Sequence, residues 1–455
     1  MLNRLEVDQA VFYALVVRGW QLLAGPITML LIASYFTADV QGYYYAFASL
    51  LGLQAFVELG LEGVIVYIAS HERAKLHVDE GGTIVGDPQA LSRLVSLGHF
   101  AFGFFAVAAV LFTVGVGTTG WFFFAQKPAE VSWIAPWCVL AILTGCSIAL
   151  IPFAALLRGC HRMATVNRFL SAQAIAGNLV IWACIPLGAN LWSAVAVAAV
   201  KLFWEAALVV RFRRFFDPFR RRPAAEIMQW RDEIWPLQWR MGIQGVLSAL
   251  AASLMTLVIF HYHGPAAAGR MGMTWNACLM ALQYSAIAWV WTRAPQFGML
   301  VSRRDFGELD RVFNRVTAVS LALLAAAGAL FVGGVWLLDA MAYGDGWTDR
   351  LPDVVRRLAA LLAPRLLPPL PTLLLTAGVV LTHIPISLTI YLRAHKRDPL
   401  IALSVFSSAA IASLVWFLGS RIGALGAAAG YLAIIALVSV PGSIVVFLRC
   451  RREWH

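Results

Sequence analysis

The sequence predicts an all-α polytopic membrane protein of about twelve transmembrane helices in two six-helix bundles. Hydrophobic residues make up 60% of the 455 residues and charged residues only 13%, which is more apolar surface than a water-soluble core can bury. The apolar segments are about 20 residues long or longer, as membrane-spanning helices require, and are not the alternating ten-residue strands of a β-barrel. Basic residues are concentrated in alternate loops, as expected of a multi-pass protein.

Twelve apolar segments are predicted to cross the membrane. They cover residues 11–34, 43–69, 94–116, 133–157, 165–187, 190–210, 236–260, 269–292, 314–339, 366–391, 399–418 and 423–447. The N-terminal residues carry acids beside a base and show no small-residue cleavage site before the apolar segment continues. We therefore expect the first segment to be retained as a helix and not removed as a signal peptide.

The loop charges set the predicted orientation. With the N-terminus inside, the outside loops hold only Lys127, Arg350, Arg356, Arg357, Arg365 and Arg421, whereas most other loop arginines and lysines lie inside. By the positive-inside rule, both termini are expected in the cytoplasm. This topology also explains the net charge of +11, so no nucleic-acid partner is predicted.

The longest basic loop divides the chain into halves. We predict a six-helix bundle over 1–210, a cytoplasmic amphipathic connector over 211–235 and a second six-helix bundle over 236–455. The connector alternates arginines with Phe, Trp and Ile, so it is either a helix lying on the inner leaflet or a solvated linker. Residues 351–365 have helical apolar spacing and are predicted to form an interfacial helix on the outer side.

Patterns typical of catalysis or metal binding do not occur. The six cysteines show no CxxC or Cys/His spacing, so neither a disulfide framework nor a metal site is predicted. The sequence contains no nucleophile elbow, phosphate-binding loop, HExxH or EF-hand pattern. Because the outer loops are also short, we expect a protein that is not an enzyme and has no catalytic residues.

Ionisable residues inside membrane spans are candidate functional residues, because each costs about 2.5 kcal/mol or more to place there. Gln54, Glu58 and Glu62 follow one another at intervals of four, which places them on one helix face. We predict that these residues and Glu205 form a site that takes up Na⁺ or H⁺. Arg18 has a depth similar to that of Glu62, and a purely structural ion pair between the two spans is the competing interpretation.

Other residues within the spans have weaker support. Lys201 lies four residues before Glu205, so this pair could neutralise itself without any ligand. Arg168 and Arg240 lie near inner boundaries, where long side chains can also reach the head groups. Pro26 and Pro385 interrupt helical hydrogen bonding and are predicted hinges.

Three segments of the first 75 residues carry a resemblance to a known family. RGWQLLAGPITMLLIASYF, QGYYYAFASLLGLQAFVELGL and VYIASHERAKL resemble the N-terminal part of Wzx-like polysaccharide-biosynthesis flippases, members of the multidrug/oligosaccharidyl-lipid/polysaccharide (MOP) exporter superfamily. The resemblance implies a MATE-like pair of bundles that alternates between inward-open and outward-open states. It also implies transport of an undecaprenyl-diphosphate-linked polysaccharide precursor, such as one for lipopolysaccharide, across the bacterial cytoplasmic membrane.

The resemblance further implies a cavity lined by arginine and lysine, which bind diphosphate well. Arg18 matches by its position, Lys201 and Arg240 are candidates by depth alone, and Arg168 is a fourth. The implied partners are the lipid-linked oligosaccharide, membrane lipids and the glycan-assembly enzymes of the pathway, with no cofactor except a coupling ion. Glu58 and Glu62 depart from a purely cationic cavity, so a cation-coupled multidrug exporter of the same superfamily is the alternative. A membrane enzyme or scaffold is a third interpretation.

Overall fold

A computed structural model describes residues 19–20, 23–79, 81–127, 131–160, 162–221, 228–343, 352–395 and 397–454. The described part of the chain is mainly helical. Eight of its helices are long and apolar enough to cross a membrane, and a ninth span is formed if one bent pair of helices is counted as a unit. The predicted all-α polytopic membrane fold is confirmed.

The helices overlap the predicted spans, but Pro88–Ala125 and Phe306–Tyr343 each reach 38 residues and extend beyond the predicted 94–116 and 314–339. The first part of the chain contains α1 (Leu23–Tyr35), α2 (Ala38–Leu51), α3 (Ala55–Glu58), α4 (Leu61–Glu72), α5 (Pro88–Ala125), α6 (Ile134–Gly159), α7 (Met163–Cys184) and α8 (Trp192–Arg211). The second part contains α9 (Trp235–His263), α10 (Pro265–Asn276), α11 (Tyr284–Trp291), α12 (Ala294–Ser302), α13 (Phe306–Tyr343), α14 (Asp353–Leu362), α15 (Pro369–Ala394), α16 (Ile401–Ile422), α17 (Ala424–Ile434) and α18 (Val440–Trp454). π-Helical turns at Ala277–Gln283 and Ile435–Ser439 join α10 to α11 and α17 to α18.

The chain folds into two compact units. The first contains the described residues of 1–20 with Leu50–Ala249, and the second contains the described residues of 21–49 with Leu250–His455. The core of the first unit lies mainly between α4, α5 and α6. The core of the second brings together α11, α12, α13, α15 and α18.

A short β-hairpin between α4 and α5 was not predicted. Its strands, β1 (Leu76–Val78) and β2 (Ile84–Gly86), pair antiparallel with Leu76 opposite Gly86. The turn is stabilised by the backbone N–H of Thr83, which donates to the Asp79 carboxylate at 2.7 Å.

The predicted second span is broken. The segment from α2 to α3 and the segment that begins with α4 are bent by 47° relative to each other. Leu59 and Gly60 form the break, and both have left-handed backbone angles, with φ of 47° and 68°. Such a conformation costs glycine little but strains a leucine, so the break depends on the surrounding packing. The predicted hinges Pro26 and Pro385 lie within α1 and α15, and their role stays a prediction.

The start of the connector packs against the first unit. A 3₁₀ helix covers Arg213–Arg220, and its Phe215, Phe216 and Phe219 are buried in the core with α5 and α6. Gly98 of α5 is needed at this contact, because a Cβ there would lie 2.3 Å from the Phe219 ring. The apolar side of this stretch therefore contacts protein, and its position at the inner leaflet stays a prediction.

A helix was predicted within residues 351–365. It is confirmed by α14, which covers Asp353–Leu362. Val354 and Leu358 on α14 are exposed, whereas Ala359 is buried. Its interfacial position stays a prediction.

Candidate functional site: a charged cavity in the first unit

A cavity of about 180 Å³ lies within the first unit, between the broken second span and α6, α7 and α8. Its polar lining residues are Gln54, Glu58, Glu62, Arg158, Gln173, Lys201 and Glu205. Apolar side chains that include Phe153, Phe169 and Trp204 complete the wall. Charged groups are therefore enclosed by membrane helices, where each would be costly without a partner or a function.

The broken span supplies three of the polar groups. Gln54 ends a 3₁₀ turn, Glu58 is the last residue of α3, and Glu62 lies in the first turn of α4. Spacing by four residues predicted a common face for an unbroken helix. The structure brings the same three residues to one cavity although the helix breaks between Glu58 and Glu62.

Helix α8 supplies the opposing pair. Lys201 and Glu205 are one turn apart, and Lys201 Nζ lies 3.8 Å from Glu205 Oε1. The side chain of Lys201 is 41% exposed and that of Glu205 is 20% exposed. Such a long and partly open contact is a weak ion pair, so Lys201 remains accessible to another anion.

The partner of Glu62 is Arg158. A guanidinium nitrogen of Arg158 contacts Glu62 Oε1, and both side chains are about two-thirds or more buried. Sequence reasoning missed Arg158 because it follows the predicted end of the fourth span at residue 157 and was assigned to a loop. Helix α6 continues to Gly159, which brings Arg158 into the span. An arginine directly after an apolar segment was the one available signal.

Glu58 Oε1 and Glu205 Oε2 are both buried without a hydrogen-bond partner among the described residues. Glu205 also contacts Lys201, whereas no ion pair of Glu58 is seen in the described part of the chain. The described lining thus holds three carboxylates and two bases, so the ionised cavity would carry an excess of one negative charge.

The other predicted residues are placed as follows. Arg168 is exposed on α7 and does not belong to the cavity lining. Arg240 lies on α9, but its side chain is outside the described part, and Arg18 lies outside the described residues altogether. Of the predicted substrate-binding residues with described side chains, Lys201 is therefore the one that lines the cavity.

No protein-family model matches the sequence, and no curated protein sequence is detectably similar to it. Solved transporter structures nevertheless share its fold. An inward-facing multidrug resistance MATE family transporter of the MOP superfamily has a TM-score of 0.63 at 11% identity, with 95% of this chain and 94% of that chain covered. The lipid II flippase MurJ, in an inward closed conformation, has a TM-score of 0.62 at 12% identity, with 96% and 87% covered.

A MOP superfamily transporter from Pyrococcus furiosus, described as having a binding pocket of reverse polarity, has a TM-score of 0.59 at 13% identity. Here 99% of this chain and 95% of that chain are covered. At such low identities the likeness establishes the fold alone, and that fold is the one of MOP-superfamily transporters.

Proposed function

We propose that this protein is an alternating-access transporter that moves a lipid-linked oligosaccharide, an undecaprenyl-diphosphate-linked polysaccharide precursor, across the bacterial cytoplasmic membrane. The observation that carries the proposal is the charged cavity, which is enclosed by membrane helices in a chain with the fold of MOP-superfamily transporters. Intramembrane charges are costly, so a cluster of five on four helical segments calls for a function beyond packing.

The chemistry of the cavity suits an anionic head group whose binding depends on a second ion. The contact between Lys201 and Glu205 is long, at 3.8 Å, and therefore weak. A diphosphate can compete with Glu205 for the ammonium group of Lys201. Arg18, matched by the flippase resemblance, is the second proposed contact. The carboxylates oppose a diphosphate until a proton or another cation neutralises them, and this dependence is the basis of the proposed coupling.

The membrane potential supports export of such a substrate. Moving one elementary charge across the membrane is worth about 2.3 kcal/mol per 100 mV. A diphosphate is negative and the cytoplasm is the negative side, so outward movement of the head group is favoured. The glycan-assembly enzymes that synthesise the lipid-linked sugar would supply the substrate on the inner leaflet.

A second candidate function is cation-coupled export of a cationic small molecule. The excess of carboxylates over bases in the described lining favours it, because an organic cation and a proton would compete directly for the same acids. A MATE family multidrug transporter is among the proteins with this fold.

Reconstitution in proteoliposomes tests the two functions side by side. We expect the protein to move a fluorescent polyprenyl-diphosphate-linked sugar between leaflets, measured by protection of the fluorophore from an impermeant quencher. Lys201→Gln and Arg18→Ala should each reduce this flux at least tenfold, while Arg18→Lys should retain part of it because the charge remains.

Arg168→Gln is the matched control, since its exposed side chain lies outside the cavity lining. Transport of a cationic dye without any flux of the labelled lipid would replace the flippase proposal by the exporter. Flux of neither probe, with protein that is folded and inserted, would contradict both.

A further inference from the structure

The helix break lies between two acids of the same cavity. Glu58 immediately precedes Leu59 and Gly60, and Glu62 follows them by two residues. The carbonyl of Leu59 faces Gly242 of α9, where a Cβ would come within 2.8 Å of the Leu59 oxygen. The orientation of the two acids is therefore controlled by what holds the helix segments on either side of the break.

The segment after the break is fastened to α6. Arg158, in the last turn of α6, forms an ion pair with Glu62 in the first turn of α4. Gly159 continues this contact along the two helices, because a Cβ there would lie 2.6 Å from Ala69 and 2.9 Å from the Val66 carbonyl. A charge-assisted hydrogen bond between a guanidinium and a carboxylate that are both largely buried is a strong contact.

The segment before the break ends in an acid without such a partner. Glu58 Oε1 is buried and accepts no hydrogen bond from the described residues, and the same holds for Glu205 Oε2, although the other oxygen of Glu205 lies 3.8 Å from Lys201. The charged groups that line the cavity with it are Glu62 on α4, Arg158 on α6, and Lys201 and Glu205 on α8. Arg158 is engaged by Glu62, and Lys201 contacts Glu205, so each of these acids has a cationic neighbour of its own.

We infer that Arg158 is a positioning residue of the transport cycle: by pairing with Glu62 and holding α4 on α6 beyond the break, it makes Glu58 the carboxylate that takes up and releases the coupling cation. The inference rests on the proposed transport function. The cation is a proton or a sodium ion, both of which a carboxylate with a free buried oxygen can accept. Loss of Arg158 would leave two acids, Glu58 and Glu62, that can each accept a cation.

Direct binding of the ion separates this inference from the proposed function, because no lipid substrate is needed. Proton release on adding sodium, and binding of radioactive sodium at several pH values, are measured on the purified protein in detergent. We expect one exchangeable cation in the unmodified protein, which is lost in Glu58→Gln and retained in Glu62→Gln.

The Arg158 variants provide the decisive readout. Arg158→Gln should raise the number of exchangeable cations and change the half-saturating concentration about tenfold, equivalent to 1.4 kcal/mol. The reversed pair, Arg158→Glu with Glu62→Arg, should return both values toward those of the unmodified protein. Arg93→Gln is the control. Arg93 on α5 pairs at 2.9 Å with Glu72, which lies on α4 like Glu62, and neither Arg93 nor Glu72 lines the cavity.

The inference is overturned if Arg158→Gln binds the cation as Arg93→Gln does, or if Glu58→Gln retains binding. If Arg158→Gln does not fold, the double variant with Glu62→Gln removes the unpaired charge and tests the same point, since Glu58 should then still bind one cation. Normal cation binding in a protein that transports no lipid would contradict the proposed function while supporting this inference.

Discussion

Close contact between α2 and α10 depends on single glycines of the second unit. A Cβ on Gly42 would lie 2.0 Å from the Pro265 carbonyl oxygen, and one on Gly272 would lie 2.3 Å from the Tyr45 side chain. Gln41, which is buried and precedes Gly42, donates to the Gly269 carbonyl at 2.9 Å. Backbones can approach this closely only where side chains are absent, as at small-residue interfaces in membranes.

We predict that Gly42→Ala destabilises the protein by more than the roughly 1–3 kcal/mol typical of overpacking, because the obstacle is backbone and cannot rotate away. The measurement is the thermal unfolding midpoint in detergent. Gly103→Ala on α5 is the matched control, since nothing lies within 4 Å of its Cβ position. That control should be neutral or gain about 0.5–1 kcal/mol from helix propensity. Equal midpoints for the two variants would contradict the packing.

At the scale of elements, the connector is held to the first unit on both sides of residues 222–227. Phe219 is buried against α5, and the carbonyl oxygen of Phe219 contacts a ring nitrogen of His99 on that helix. On the other side, the backbone N–H of Met228 donates to Ser96 at 3.2 Å. The exposed residues of the 3₁₀ helix include Arg213, Arg214 and Arg220, so the burial of the phenylalanines orients its basic side outward.

We predict that Phe219→Ala releases this stretch, because removing a buried phenylalanine costs about 3–5 kcal/mol. Limited trypsin digestion should then cleave after the arginines of 213–221 at least tenfold faster. Phe203→Ala serves as the control, since Phe203 is 66% exposed on the membrane helix α8. Unchanged cleavage in Phe219→Ala would mean that other contacts hold the connector.

A second element-scale feature is the docking of the end of α18. His395, just after α15, packs against Trp454 with 5.0 Å between ring centroids and against Phe306 with 6.2 Å. Burial lowers the pKa of His395, and the neighbouring Arg397 lowers it further, while the Tyr391 carbonyl and Asp310 act in the opposite direction. The neutral ring is thus the form that the folded structure favours.

The sign of the resulting pH dependence follows from linkage. Because the pKa is lower in the folded state, this packing is fully stable above the unfolded value of about 6.5 and is lost as the pH falls through the folded pKa. We predict that amide hydrogen exchange in 448–454, corrected for its intrinsic pH dependence, rises several-fold on acidification. His395→Phe keeps an aromatic ring but does not titrate, so its exchange should not respond. A response identical in His395→Phe would assign the effect to another group.

At the scale of the whole molecule, the loop charges predict the orientation in the membrane. Reagents that cannot cross the membrane report it directly. A single cysteine introduced near Arg221 should label only from the cytoplasmic side, and one near Gly264 only from the outer side, in a background without the six native cysteines. Labelling of both positions from outside would refute the predicted topology, whereas a reversed pattern would invert it.

The order of the helices along the chain does not show which helices belong to which compact unit. Residues of α2 before Leu50 belong to the second unit, although they precede most of the first in the sequence. The predicted spans follow from apolar length, a local property. Grouping of spans into units depends on contacts such as Gly42 with Pro265, between residues far apart in the chain.

Composition and segment length were enough to predict a multi-pass helical membrane protein, because lipid imposes the same requirement on every spanning segment. The cost of a polar or charged side chain in lipid identified five candidate residues in the spans. They are Gln54, Glu58, Glu62, Lys201 and Glu205, and all five line one cavity. What the tertiary structure alone decided was which charge meets which. Glu62 pairs with Arg158 and the helix breaks at Leu59 and Gly60, because a partner is chosen by distances between helices that lie far apart in the sequence.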